Sequence, residues 1–152
     1  MRILGIDPGT RESAFVLFDG SRVVDHDFVA NQALLARLKS RDFGGEFLAV
    51  IEQIESFGMS VGAEVFETVF WSGRFAQAAG TFDRVTRKTV KLHLCQSPRA
   101  KDPNIRQALL DRFGGRDVAI GRKGAPGPLH GMSSHRWAAL AVAVTYWDQR
   151  QG

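Results

Sequence analysis

Ile3-Leu4-Gly5-Ile6-Asp7-Pro8-Gly9-Thr10 is an apolar run that ends on a carboxylate and breaks at once into a turn. Proline presets its own backbone angle and glycine reaches conformations closed to other residues, so the run reads as a strand stopping at Asp7. Outward from it, Ser13-Ala14-Phe15-Val16-Leu17-Phe18 is a second strand ending at an Asp19-Gly20 turn, and Arg22 to Val29 is a third. Short turns join antiparallel neighbours, which makes the opening a meander. Leu34, Leu35 and Leu38 then recur at helical spacing from Asn31 to Asp42, before Gly44-Gly45. Phe47-Leu48-Ala49-Val50-Ile51 is continuously apolar, the pattern of a strand covered on both faces, and it runs straight into Glu52.

The second half alternates helices with connecting segments. From Ser60 to Gly80 the apolar residues Val61, Val65, Phe66, Val69, Phe70, Trp71, Phe75 and Ala76 keep a helical period but cover a wide stripe. A stripe that wide predicts a helix packed on the sheet and also on something else, such as a second subunit; an internal helix is the plainer alternative. Lys91-Leu92-His93-Leu94 reads as a further strand. Asp102-Pro103 reads as a helix start, with the carboxylate at the N-cap and proline at the first helical position. Gly114 to Gly131 carries no period and is rich in Gly, Pro and basic residues, so it reads as a flexible basic loop or lobe whose length argues for function or disorder rather than simple connection. The last helix runs from Ser133 to Asp148, apolar on both sides. Strands first, one strand between helices, then helices predict an α/β domain with helices packed on a mixed sheet.

A chain of 152 residues, 44% hydrophobic and 24% charged, fits one domain spanning 1–152. It is long enough to bury roughly 70% of its unfolded surface without disulfides or a structural metal. The single Cys95 can form neither an internal bridge nor a zinc knuckle, which points to a reducing compartment. No apolar run approaches the ~20 residues of a membrane span, and Asp7 comes too early for a signal peptide, so a cytoplasmic location is expected. Twenty Lys and Arg against sixteen Asp and Glu give a net charge of +4. The excess is concentrated: Arg84, Arg87, Lys88, Lys91, Arg99, Lys101 and Arg106 crowd one stretch, followed by Arg112, Arg116, Arg122 and Lys123. Such a distribution is a nucleic-acid footprint or a solvated face.

Asp7 and Glu52 stand where a neutral residue would serve packing better, each at the end of an apolar strand. If the strands are neighbours, the two acids converge and repel unless a cation sits between them. Oxygen ligands without a cysteine cluster favour Mg²⁺ or Mn²⁺ over zinc. The alternative is that both are solubilising charges at strand ends.

Ile3 to Thr10, Val50-Ile51-Glu52-Gln53, Thr89-Val90-Lys91 with Lys101, and Ala139-Leu140-Ala141-Val142-Ala143-Val144-Thr145, in that order and spacing, resemble the RuvC-type Holliday junction resolvases over nearly the whole chain. The resemblance implies a ribonuclease H-like fold, a five-stranded mixed sheet flanked by helices. It also implies a homodimer that cleaves branched DNA with two Mg²⁺ or Mn²⁺ ions per active site, one activating water and the other stabilising the leaving 3′ oxygen. Asp7 and Glu52 match the first two carboxylates of that family. Its remaining two ligands, acids three residues apart at the start of the last helix, fall on His135 and Ala138. Histidine is a workable ligand; alanine is not. Glu55 is a further candidate carboxylate should the strand bend. Lys91 and Lys101, with Arg87 and Arg99 of the same basic stretch, match or neighbour DNA-contacting positions, and Phe57 is a candidate wedge for the junction centre, two residues out of the usual register. His130 reads as solvated.

The function implied is resolution of four-way and related branched DNA by paired nicks. A second reading is a junction-binding protein with weak or no cleavage, because Ala138 removes a carboxylate. A third, an ATP-binding actin-like or sugar-kinase-like domain, shares the strand-Asp-Pro-Gly-Thr opening but needs a second phosphate loop that the sequence does not show.

Overall fold

In the computed structural model, which describes residues 1–151, β1 (Arg2–Asp7), β2 (Glu12–Phe18) and β3 (Val23–Ala30) form the expected antiparallel meander. Helix α1 (Asn31–Ser40) leads to β4 (Phe47–Gln53), which lies parallel to β1, and α2 (Ala63–Ala79) leads to β5 (Phe82–Thr86), parallel to β4. There follow α3 (Arg87–Cys95), α4 (Asp102–Arg112), the short α5 (Arg116–Ile120), a two-residue ladder of β6 (Gly121–Arg122) and β7 (Ala125–Pro126), and α6 (His135–Gln151). The main sheet is mixed, in the order β3-β2-β1-β4-β5.

Alternation along the strands sends successive side chains to opposite faces. Leu4, Ile6, Phe15, Leu17, Ala49 and Ile51 pack against α1 and α2, while Ile3, Val16, Phe18, Leu48 and Val50 pack with α6, α3 and α4. Both faces are covered, which is why the central strands read as unbroken apolar runs. Helix α6 lies hard against β1: a Cβ at Gly5 would stand 2.3 Å from the Ala139 carbonyl oxygen and 3.0 Å from the Ala143 Cβ. Glycine on the strand and alanines on the helix let the two backbones touch.

The structure corrects the sequence reading in several places, one of them the last helix, which runs from His135 to Gln151 and not from Ser133 to Asp148. The fifth strand is Phe82–Thr86, whereas Lys91-Leu92-His93-Leu94 belongs to α3. β5 is a sheet edge on which only Val85 is buried, so no apolar run marks it, and the polar-apolar alternation of 91–94 is incidental to a helix capped by Thr86, whose Oγ1 accepts from the Thr89 N–H at 3.1 Å. Helix α1 stops before the glycines because Arg41 adopts a left-handed conformation (φ 56°), its N–H donating to the Leu38 carbonyl at 3.2 Å. Helix α2 begins at Ala63, with Gly62 at its N-cap. The α4 N-cap is Lys101, whose N–H donates to Asn104 Oδ1 at 2.9 Å; Asp102 lies inside the first turn and forms an ion pair with Arg87. Finally, 114–131 is not an unstructured loop. It folds into α5 and the β6–β7 ladder, units too short to leave a period, and Ala119 and Leu129 are fully buried beneath them.

Crowding an extra methyl into the β1–α6 contact displaces helix or strand. Gly5→Ala should lower stability by about 1–3 kcal/mol, read as a fall in the urea midpoint at unchanged slope. An unchanged midpoint would contradict the close approach.

Candidate active site

The parity of the strands that builds the core also aims the two acids. Gly5 and Val50 are paired in register and both face α6, so two residues further on Asp7 and Glu52 turn to the same side at the same end of neighbouring parallel strands. The start of α6 lies over them: His135 Nδ1 is 3.1 Å from Asp7 Oδ2. The imidazole is stacked on Phe28 of β3, with ring centroids 5.4 Å apart and planes 13° from parallel. The turn behind Asp7 is locked by a polar relay. The Gly9 N–H donates to Ser13 Oγ at 3.0 Å, that hydroxyl donates to Asn31 Oδ1 at 2.6 Å, and Asn31 Nδ2 donates back to the Gly9 carbonyl at 2.9 Å. Ser13 and Asn31 are buried, so the relay is fixed by the cost of leaving any member unpaired.

Charge at the site is finely opposed. Burial raises the Asp7 carboxyl above its usual range, against the lowering pull of His135 and Arg87. Burial and the Asp7 carboxylate push Glu52 up to about 7, against the pull of Arg87 and Lys91. The helix misread as a strand therefore supplies both cations that act on the acids. Arg87 is in turn tied to Asp102. A cavity of about 490 Å³ opens beside Asp7 and is lined by Asp7, Thr10, Glu12, Phe28, Glu64 and His135, while Glu52 lines a separate cavity of about 390 Å³ with Gln53, Ser72 and Arg84.

Asp7, Glu52 and His135 are thus gathered at one end of the sheet with Arg87 and Lys91 beside them. Lys101 and Arg99 are exposed on the approach to α4, and Phe57 stands 72% exposed on the loop after β4. Glu55 is exposed beyond the end of β4 and does not line the cavity. His130 is exposed, with Nδ1 3.0 Å from the Ile120 carbonyl oxygen. Ala138 lines an adjoining cavity of about 250 Å³ with Arg87, Asp102, Arg106, Ser134 and His135. Phe28, Ser13, Asn31 and Glu64 were not found from sequence; only the Ser and Asn, polar residues set in apolar surroundings, carried a readable signal. Among the described residues, no three His, Cys, Asp or Glu side chains stand close enough together to hold a metal ion. The donors nonetheless suit a hard divalent cation: two mutually repelling, largely buried carboxylates with an imidazole beside one of them.

This sheet order, with the last helix crossing the central strands, is the ribonuclease H-like fold. Its form here is that of RuvC: the chain matches Thermus thermophilus RuvC at a TM-score of 0.69 and 20% identity, covering 100% of this chain and 97% of that one. It matches T. thermophilus RuvC in complex with a Holliday junction substrate at 0.71 and 21%, covering 100% and 96%. No family model matches the chain, and no curated protein matches it in sequence.

The raised Glu52 value fixes the sign of a pH effect. The folded chain holds a proton that an unfolded glutamate releases near its ordinary 4.5, so the stabilisation is complete below that value and is lost as pH rises through about 7. In divalent-free buffer the melting temperature should therefore fall from about pH 5 to about pH 8, and Glu52→Gln should flatten that fall. Equal slopes in the two proteins would remove the buried, repelled carboxylate from the account.

Proposed function

We propose that the chain is a metal-dependent endonuclease that resolves four-way and related branched DNA by paired nicks, acting as a homodimer in the cytoplasm. The observation that carries this reading is the placement of Asp7 and Glu52 on adjacent parallel strands under His135, in a fold that matches a RuvC in complex with a Holliday junction. Asp7, Glu52 and His135 would hold Mg²⁺ or Mn²⁺. Two such ions, when bound, supply a water nucleophile at neutral pH and charge stabilisation for the leaving oxygen of a phosphodiester.

The remaining roles belong to the chain itself. Asp7 and Glu52 collect positive charge where the scissile phosphate must sit. His135, braced against Phe28, keeps the Asp7 carboxylate in one orientation. Arg87 and Lys91 offset phosphate charge next to the acids, and Lys101 and Arg99 extend the basic surface outward. Phe57, exposed on a backbone of positive φ (52°), is available to stack on an unpaired base at the branch point.

Two active sites are needed for paired nicks, and α2 offers a face for the second copy. Its buried side presents Trp71, Phe75 and Ala79 to the sheet, while Phe66, Val69 and Phe70 are exposed. Such a patch on a monomer marks an interaction surface.

A second reading, junction binding with weak or no cleavage, is favoured by Ala138 and by the absence of a three-ligand cluster among the described residues. Nicking of a labelled four-way junction in Mg²⁺ and in Mn²⁺ separates the two. Wild type should nick. Asp7→Asn and Glu52→Gln should lose cleavage by at least about a hundredfold while binding stays within a few-fold, since binding tracks phosphate contacts. His135→Ala should slow cleavage, and Ala138→Asp, one helical turn away, should raise it at limiting Mg²⁺. Junction binding by wild type without nicking in either metal would establish the second reading.

A further inference from the structure

The segment 114–131 is a basic stretch that lies outside the candidate active site. It carries Arg116, Arg122 and Lys123 against the single acid Asp117. All three cations are exposed, and among the described residues none of them is in an ion pair. Neighbouring cations are engaged: Arg112 binds both oxygens of Asp148 at 2.6 and 2.7 Å, and Arg106 lies over the Trp137 ring. The three charges of the lobe are therefore available to a partner, as are those of Arg99 and Lys101.

The lobe is also braced. Ala119 and Leu129 are its buried feet, and the Leu129 N–H donates to the Ala119 carbonyl at 2.7 Å. The Gly127 N–H donates to Ile120 at 2.9 Å, and a Cβ at Gly127 would lie 2.2 Å from the Val118 carbonyl oxygen, so the backbones are in contact. Above this base an open cavity of about 540 Å³ is lined by Arg116, Asp117, Ile120, Gly121, Arg122 and Ala125. A concave, cationic surface on a fixed base suits an extended polyanion, because its charges are held in place before the partner arrives.

Position selects the polyanion. Lys101 and Arg99 stand at the N-terminal end of α4, and Arg116 follows its C-terminal end. Eleven residues of helix span about 16 Å, close to half of the roughly 34 Å turn of a B-form duplex. We propose that the 114–131 lobe is a second DNA-binding site, which grips the sugar-phosphate backbone of a duplex arm about half a turn from the contacts of Arg99 and Lys101. It rests on the reading that the partner is branched DNA.

The test is the salt dependence of binding to a fluorescent four-way junction, for wild type, for Arg116→Gln/Arg122→Gln/Lys123→Gln and for Lys123→Glu alone. Each phosphate contact contributes about 0.9 to the log–log slope, so the triple variant should lose about 2–3 in slope at an unchanged melting temperature. Lys123→Glu, a single change on the exposed turn between β6 and β7, should lose at least about 1, and trimming the arms to about 5 base pairs should erase both differences. A wild-type protein that binds junctions with the same slope as the triple variant overturns the lobe and leaves the proposed function standing. A wild-type protein that binds no DNA overturns both.

Discussion

The contact between Gly5 and α6 is the constraint on which the rest depends. A helix normally stands off a sheet by the length of the side chains between them, but here the strand has no side chain at the crossing and the helix carries alanines at 139 and 143. The backbone of α6 settles onto β1, and the start of the helix is drawn down to the end of that strand. His135 reaches Asp7 because of this approach. The same seam explains why α6 is apolar on both sides: Leu140 and Val144 fill the space around the close crossing, and residues 139–145 are all fully buried.

Once α6 is seated, the site is a problem in opposed charge. The parallel pairing of β1 with β4 brings two carboxylates to one level, and burial makes their repulsion expensive. The chain answers with cations on α3, the helix that follows the edge strand. Thr86 matters twice here, ending β5 and capping α3, so that Arg87 and Lys91 are carried back toward the strand ends. Arg87 acts on both acids and is itself tied to Asp102. Its charge is thereby shared between the floor of the site and the helix that begins its basic approach.

Much of this was legible in the sequence because the central strands are buried on both faces. Apolar runs that stop at Asp7 and Glu52 announce both the strands and the acids, and β1 and β4 needed no more than that. What could not be read lies at the margins. β5 is exposed along most of its length, so its sequence, Phe82-Asp83-Arg84-Val85-Thr86, follows no core pattern, and four residues of α3 imitated a strand in its place. The 114–131 segment hides its order for a different reason. Its fixity comes from glycine-dependent backbone contacts and two buried feet, neither of which leaves a period. Phe28 was invisible as a site residue because its role, a flat surface for the His135 ring, is set by tertiary packing between β3 and α6.

Ala138 takes its meaning from what surrounds it. The position has not been filled by a larger apolar side chain; it opens on a cavity of about 250 Å³ shared with Arg87, Arg106 and the Asp102 carboxylate. Packing therefore does not forbid an acid there, and two guanidinium groups would face one. The site as it stands sets two carboxylates and one imidazole against Arg87 and Lys91. Arg87 borders both this cavity and the acids, so a carboxylate at 138 would compete with Asp7, Glu52 and Asp102 for the same guanidinium group.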